Sequence, residues 1–373
     1  MHSILITIIT ALFFTACTKK SGDEILIGEV GSLTGSEATF GTSTRDGIEL
    51  AVRQINASGG IQGKKVKVIV MDDQGKADEA ATAVTKLITQ DKVMAILGEV
   101  ASSRSLAMAP IAQMNKIPMI TPSSTNPKVT EIGNYIFRVC FIDPFQGSVM
   151  AKFAYNTLKL RNVAILRDVK SDYSVGLANF FTETFKELGG KIVADESYSS
   201  DDVDFKSQLT SIKPKKPDGI FVPGYYTGVG LIARQARELG LQIPLLGGDG
   251  WDSSKLTEIG GKSLNGSYFS NHYTPDDQSQ GVRKFIDDYK KEFGAVPDGL
   301  AAMGYDAMMI LADAMKRAKS LGQTDIRDAI AATKNYQAVT GNITINEKRD
   351  AVKSAVVIEV KDGQFVFKER ISP

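Results

Sequence analysis

The feature that most restricts this chain is its alternation of short apolar runs with helical apolar stripes, punctuated by glycine. Residues 24–30, 66–71, 94–97 and 117–121 read as strands, and 94–97 (Met-Ala-Ile-Leu) is too brief for a helix but well sized for a buried parallel strand. Between them lie stripes at helical spacing: Ile48, Ala51, Val52 and Ile55, ended by Gly59-Gly60, then Ala80, Ala81, Val84, Leu87 and Ile88. Strand and helix alternating through short links predicts a doubly wound parallel sheet. After Asp143-Pro144, read as a cap with proline at the first helical position, the pattern repeats. Its strands are 162–166, 191–194, 219–222 and 243–246, and its helices carry Leu177, Phe181, Phe185 and Leu188, then Val229, Ile232, Ala233 and Ala236. A third series opens with Val282, Phe285, Ile286, Tyr289 and Phe293, and the chain closes with a hairpin expected around Asp362-Gly363. With 373 residues, 43% of them hydrophobic, and 34 glycines, two α/β domains fit better than one core.

Two neighbouring strands empty into small polar turns. Gly98 breaks the run at 94–97, and Ser102 or Ser103 stands where a helix cap belongs, beside free backbone N–H groups. The next strand runs into Thr121, Pro122, Ser123, Ser124, Thr125, Asn126 and Pro127. Strand ends of an open α/β sheet are where ligands bind, and a helix start favours an anion. A carboxylate is the expected guest. Asp72-Asp73 has no third ligand at a useful spacing, so these two are read as turn residues and no metal is expected.

Several function classes are disfavoured. A formal net charge of +1 offers no field for nucleic acid. The only histidines are His2 and His272, no Gly-x-Ser-x-Gly elbow occurs, and Gly261-Lys262-Ser263 has Leu256 where a phosphate loop needs its first glycine. No enzyme activity and no cofactor are therefore expected. Residues 4–16 form an apolar segment too short to span a bilayer, followed by Cys17 and a polar stretch. Residues 1–16 look like a bacterial lipoprotein signal with Cys17 as the lipidated first residue, and 17–23 as a tether. That places the mature protein outside the cytoplasm, attached to the membrane by lipid alone. The other cysteine, Cys140, lies in an apolar run and is assigned no chemistry.

By their order and spread, further stretches resemble one family, the type I periplasmic binding proteins, and within it the branched-chain amino acid binding branch. They are Gly31-Ser32-Leu33-Thr34-Gly35, residues 56–63 (Asn-Ala-Ser-Gly-Gly-Ile-Gln-Gly), Asp72-Asp73, residues 120–127, Gln235-Ala236-Arg237 and residues 247–250. The resemblance implies two lobes in a hinged, Venus-flytrap arrangement with ligand in the cleft. Lobe I would comprise 24–140 with 274–342, and lobe II 141–273 with 343–373. The three crossings are expected near 140–143, 270–273 and 341–345. His272, near the second, is expected either to touch ligand or to satisfy a hydrogen bond at the hinge, the latter being preferred. Carried over by position, the ligand carboxylate would meet Ser102 and Thr125, with Val100, Ala101 and Ser123 on the same wall. Asp249, between Gly248 and Gly250, would anchor the ammonium, with Tyr173 and Tyr225 beside it. Phe40 stands where the best-known relatives use tyrosine, and Asp249 is one methylene shorter than the familiar glutamate. Trp251 is a further candidate for the apolar wall.

Physics agrees with that assignment. A buried carboxylate or ammonium left unpaired costs several kcal/mol, so a cleft with donors on one wall and a carboxylate on the other selects zwitterions. The expected partners are a free amino acid, by default leucine, isoleucine or valine, and the permease subunits of an ABC importer, with the protein itself a monomer. Other amino acids or related amides are the alternative ligands. A ligand-sensing module of the same fold, uncoupled from transport, is the alternative role.

Overall fold

The computed structural model describes residues 24–373. The expected signal segment 1–16, His2, Cys17 and the tether lie outside the described residues.

The first unit runs β1 (Glu24–Gly31), α1 (Ala38–Ala57), β2 (Lys65–Asp72), α2 (Ala77–Thr89), β3 (Ala95–Leu97), α3 (Ser102–Met114), β4 (Met119–Thr121), α4 (Lys128–Glu131) and β5 (Ile136–Arg138). Its five strands are all parallel in the order β2-β1-β3-β4-β5. Side chains alternate across the sheet, so Ile25 and Ile27 of β1 pack with Ile48, Ala51 and Ile55 of α1, while Val30 packs with Ala80, Val84 and Leu87 of α2. Covering both faces is what a parallel sheet requires.

The second unit runs α5 (Asp143–Lys152), β6 (Asn162–Asp168), α6 (Asp172–Glu187), β7 (Lys191–Tyr198), α7 (Lys206–Ile212), β8 (Gly219–Phe221), α8 (Tyr226–Glu238), β9 (Leu245–Gly247), α9 (Ser254–Gly260) and β10 (Ser267–Asn271). The chain then returns to the first unit with α10 (Gln280–Phe293), α11 (Gly299–Arg317) and α12 (Gln323–Ala331), and with the short strands β11 (Tyr336–Ala338), β12 (Gly341–Ile345) and β13 (Ala351–Val352). It ends in β14 (Ala355–Lys361) and β15 (Gln364–Ile371), which join the second sheet to give β7-β6-β8-β9-β10-β14-β15. Five of these seven strands are parallel, and the last two form an antiparallel edge hairpin. The turn between them has positive φ at both Asp362 and Gly363, the geometry a two-residue hairpin prefers. β14 is antiparallel to β10 for a topological reason: β10 leaves for the first unit at Asn271, and β14 arrives from it beside that end, with Asn271 opposite Val356.

The third crossing differs from expectation. Residues 341–345 do not cross: β12 pairs with β11 and β13, and Ile343, Ile345 and Ala351 sit in the core of the first sheet. The chain changes sheets at Lys353 and Ser354. A buried ion pair fixes this, because Asp350 Oδ1 accepts from Arg138 Nε at 2.7 Å and from the Thr130 hydroxyl at 2.8 Å. Residues 343–352 therefore pack with the first unit and not the second.

Helices α1 and α11 approach closely because glycine stands at their contact. A Cβ on Gly47 would lie 1.9 Å from the carbonyl oxygen of Ala301, and one on Gly304 would lie 2.3 Å from that of Thr44. Backbone meets backbone there, so neither helix can yield by turning a side chain. Gly47→Ala is expected to destabilise the protein by about 1–3 kcal/mol, read as a lower urea midpoint at unchanged slope. An unaltered midpoint would show that the helices separate freely.

Candidate ligand-binding cleft

Both sheets point the carboxyl ends of their strands at the space between them. A small cavity lies there, lined by Phe40, Val100, Ser102, Ser123, Tyr173, Tyr225 and Asp249, together with Gly250 and Leu300. Seven of the ten residues singled out from sequence thus line one cavity. Of the other three, Ala101 is buried in the backbone step between Val100 and Ser102. Thr125 lies behind the wall, its buried Oγ1 without a hydrogen-bond partner and its side chain against the Asp143 carboxyl. Trp251 does not line the cavity. Its indole N–H donates to the Val222 carbonyl at 3.0 Å and its ring packs under Gly247 and near Phe269, so it fills the second core.

The first wall starts at Gly98, which has a φ of +113° and where a Cβ would fall 2.1 Å from the Val30 carbonyl oxygen. No side chain fits, and the chain can turn sharply out of β3. The cap of α3 is Ala101, not Ser102 or Ser103, because Ser102 already has helical geometry. The Ser102 side chain is therefore not consumed by capping. Its Oγ accepts the Asn126 N–H at 3.2 Å, which leaves the hydroxyl proton to donate elsewhere. Beside it stand the first N–H groups of α3, which have no partner within the helix. Ser103 instead reaches the other lobe, donating to Asp172 Oδ2 at 2.9 Å and accepting the Asp172 N–H at 3.0 Å.

Residues that sequence reasoning did not single out hold this wall in place. Thr121 Oγ1 donates to the Glu99 carbonyl at 2.6 Å and accepts the Ser124 N–H at 2.9 Å. Glu99 is fully buried, and its Oε2 lies 3.0 Å from Arg104 Nε, while Arg104 Nη2 pairs with Glu37 at 2.7 Å. Arg138 donates to the carbonyls of Ser124 and Asn126, fixing the loop that carries Ser123 and Thr125. Asp72 and Asp73 act as turn residues here, Asp72 accepting the N–H groups of Leu33 and Gln74, and Asp73 that of Gly75.

The second wall is the turn after β9. Its backbone is pinned from two helices: Gln146 of α5 accepts the Asp249 N–H at 2.9 Å, and Tyr173 of α6 accepts the Gly250 N–H at 3.2 Å. Asp249 is only 4% exposed. Its Oδ2 lies 3.0 Å from His272 Nε2, and its Oδ1 has no partner among the described residues. An unpartnered buried carboxylate oxygen calls for a donor. Tyr173 and Tyr225 stack at 5.4 Å, and Phe40 of the first lobe meets Tyr225 edge-on at 5.5 Å. Burial holds both tyrosine hydroxyls well above their ordinary pKa, so they stay protonated. Leu300 enters from the start of α11, about fifty residues beyond Asp249 in sequence, with no local pattern to announce it.

A two-lobed α/β protein whose strand ends enclose donors on one wall and a half-paired carboxylate on the other belongs to the class that binds small molecules between closing lobes. The chain is a member of the periplasmic binding protein family, whose model matches residues 24–364. Among solved structures it is similar to a leucine binding protein LivK from Thermotoga maritima, with 43% identity and a TM-score of 0.90 over 94% of this chain and 99% of that one. It is also similar to the branched-chain amino acid transporter substrate binding protein LivJ from Streptococcus pneumoniae in complex with isoleucine, with 35% identity and a TM-score of 0.89 over 94% and 100% of the two chains. A leucine-, isoleucine-, valine-, threonine- and alanine-binding protein from Pseudomonas aeruginosa is 29% identical over 339 residues, 90% of this chain and 89% of that protein. Among the described residues no helix is long and apolar enough to cross a membrane.

Asp143, beside Thr125 and Asp249, supplies a pH test of the cleft. Burial pushes its carboxyl up from 3.8 to about 8, and the Thr125 hydroxyl beside it offsets only part of that rise. Between those values the folded state binds the extra proton, so stability is greatest below the lower one and declines as pH rises toward 8, by up to about 1.4 kcal/mol per pH unit. Asp143→Asn should lack that slope and gain on the unaltered protein from pH 5 to 8 in urea unfolding. Parallel stability curves for the two proteins would mean the group is ionised in the fold.

Proposed function

We propose that this protein is an extracytoplasmic substrate-binding protein that captures a branched-chain amino acid between its lobes and delivers it to an ABC importer. The observation that carries the reading is the buried, unpartnered Oδ1 of Asp249, facing across a small cavity the hydroxyl of Ser102 and the start of α3. Ligand carboxylate docks on the first wall, where Ser102 and Ser123 offer hydroxyls and the helix start offers N–H groups and partial positive charge. Thr125 stands behind them as a further hydroxyl for the carboxylate, and Val100 and Ala101 shape the same wall. The second lobe then swings in, bringing Asp249 to the ammonium and Tyr173 and Tyr225 over the ligand. Phe40, Val100, Tyr225 and Leu300 form the apolar surround for an aliphatic side chain. The relatives named above are a leucine binding protein, one in complex with isoleucine, and one named for leucine, isoleucine, valine, threonine and alanine, and ligands of this kind agree with that surround.

Closure needs contacts that exist only when the lobes meet. Ser103 with Asp172, Thr39 with Ser253 at 2.9 Å, and the Thr227 hydroxyl with the Ser36 carbonyl at 2.7 Å are such contacts. Ligand binds the closed form better because only there are both its charged ends paired, and this differential affinity shifts the population. No covalent bond is made or broken. The closed form is what a permease would recognise, and Cys17, once lipidated, would keep the protein at the membrane surface.

Asp249→Ala should weaken leucine binding about 100-fold or more in calorimetry, with the melting temperature of the ligand-free protein little changed. In the unaltered protein 4-methylpentanoate and isopentylamine, each lacking one charged end, should bind weaker than leucine by a similar factor. Equal affinities for all three would remove the zwitterion reading. In cells, Cys17→Ser should move the protein from the membrane fraction to the soluble fraction; unchanged fractionation would exclude the lipid anchor.

A further inference from the structure

We propose that His272 is a positioning residue for the ammonium anchor: by holding Oδ2 of Asp249 and stacking on Phe141, it aims Oδ1 at the ligand and ties the anchor to two hinge crossings. This rests on the functional reading above. The turn carrying Asp249 has its backbone fixed by Gln146 and Tyr173, but neither holds the carboxylate itself. A carboxylate on a short side chain can rotate and offer either oxygen. Among the described residues only His272 Nε2, at 3.0 Å, removes that freedom.

The location of His272 gives the contact its second meaning. It follows β10 directly, in the segment that leads back to the first lobe, and its ring lies flat on Phe141 with centroids 3.6 Å apart and 26° between planes. Phe141 belongs to the earlier crossing, just ahead of α5. The anchor thus touches one crossing directly and a second through one ring, so that a change in hinge posture is passed to Asp249 as a change in carboxylate direction.

The ring acts as a neutral donor. Nδ1 is buried without a partner, while Nε2 faces a carboxylate oxygen. A buried lone pair without a donor is tolerated better than a buried N–H without an acceptor, so the proton belongs on Nε2. Burial pushes the imidazole down to about 4, opposed by Asp249 and reinforced by Lys353 at the third crossing. Around Asp249 itself stand the Asp143 carboxyl and the Tyr173 hydroxyl. A neutral ring steers the carboxylate without placing a positive charge beside the incoming ammonium.

The test is a double-mutant cycle on leucine affinity by calorimetry, with melting curves to confirm folding. His272→Ala should weaken binding about tenfold or more in the unaltered background, yet by no more than about twofold when Asp249→Asn is already present. His272→Gln, whose amide N–H can reach the same oxygen, should recover most of the loss. A hinge residue with only a structural role would weaken both backgrounds equally and would not be rescued; either result, or no loss in His272→Ala, overturns the inference alone. Unchanged affinity in Asp249→Asn would overturn the proposed function along with it. The pH profile adds a second reading. Leucine affinity should be flat from pH 7 to 5, below the range in which Asp143 titrates, whereas a fall centred near 6.5 that vanishes in His272→Gln would show a charged ring and overturn the neutral-donor assignment.

Discussion

One electrostatic contact is built in two parts and divided between two sheets. Donors stand on the first lobe, at Ser102, Ser123 and the start of α3, and a carboxylate oxygen without a partner stands on the second, at Asp249. Neither part can complete the other directly, because a cavity separates them. Bringing both out of water costs several kcal/mol when nothing joins them. A molecule with opposite charges a few bonds apart removes that cost at both ends together. The energetics of closure, the selection of ligand and the shape of the cleft are therefore one problem.

The rest of the interior keeps those parts from relaxing toward easier partners. Around the first wall, Glu99 is engaged by Arg104, Arg104 by Glu37, and the carbonyls of Ser124 and Asn126 by Arg138, itself paired with Asp350. Removing one member of a buried pair of this kind costs about 3–5 kcal/mol, so these side chains act as struts. Around the second wall, Gln146 Oε1 accepts the Asp249 N–H and the Ser270 hydroxyl, and the Tyr173 hydroxyl accepts the Gly250 N–H. The Asp249 carboxylate has a partner on one side only, and near it Thr125 Oγ1, Asp143 Oδ2 and His272 Nδ1 also lack partners among the described residues.

Much of this is legible in the sequence because the first-order rules are local. Periodicity marks the alternating strands and helices, Asp362-Gly363 marks the closing hairpin, and hydroxyl-rich strand ends mark the first wall. What local pattern does not reveal is set by distant pairing. The third crossing falls elsewhere than the sequence suggests because residues 341–345 read as an extended segment, and contacts distant in sequence, Ile343 and Ile345 in the first core and Asp350 with Arg138, 212 residues away, assign them to the first unit. Ser102 reads as a cap from its neighbours, but its hydroxyl is claimed by Asn126. Trp251 is a candidate because it follows the anchor by two residues; the tight turn there sends its ring back under Gly247 into the core. Leu300 and Arg104 carry no signature at all, and His272 shows only that a hydrogen bond is due, not that its partner is Asp249.

The threading of the chain has a consequence for how the molecule assembles. The core under the first sheet unites residues from β1 through β5 with residues from α11, α12, β12 and β13, and these two stretches are separated in sequence by the whole second lobe. During synthesis, Ile25, Ile48 and Phe137 emerge well before the partners that cover them, Met308, Leu311 and Ile343. Contacts of such long sequence separation form slowly, because the intervening loop must be closed first. The early half is left as an unfinished, adhesive surface until nearly the last residues arrive.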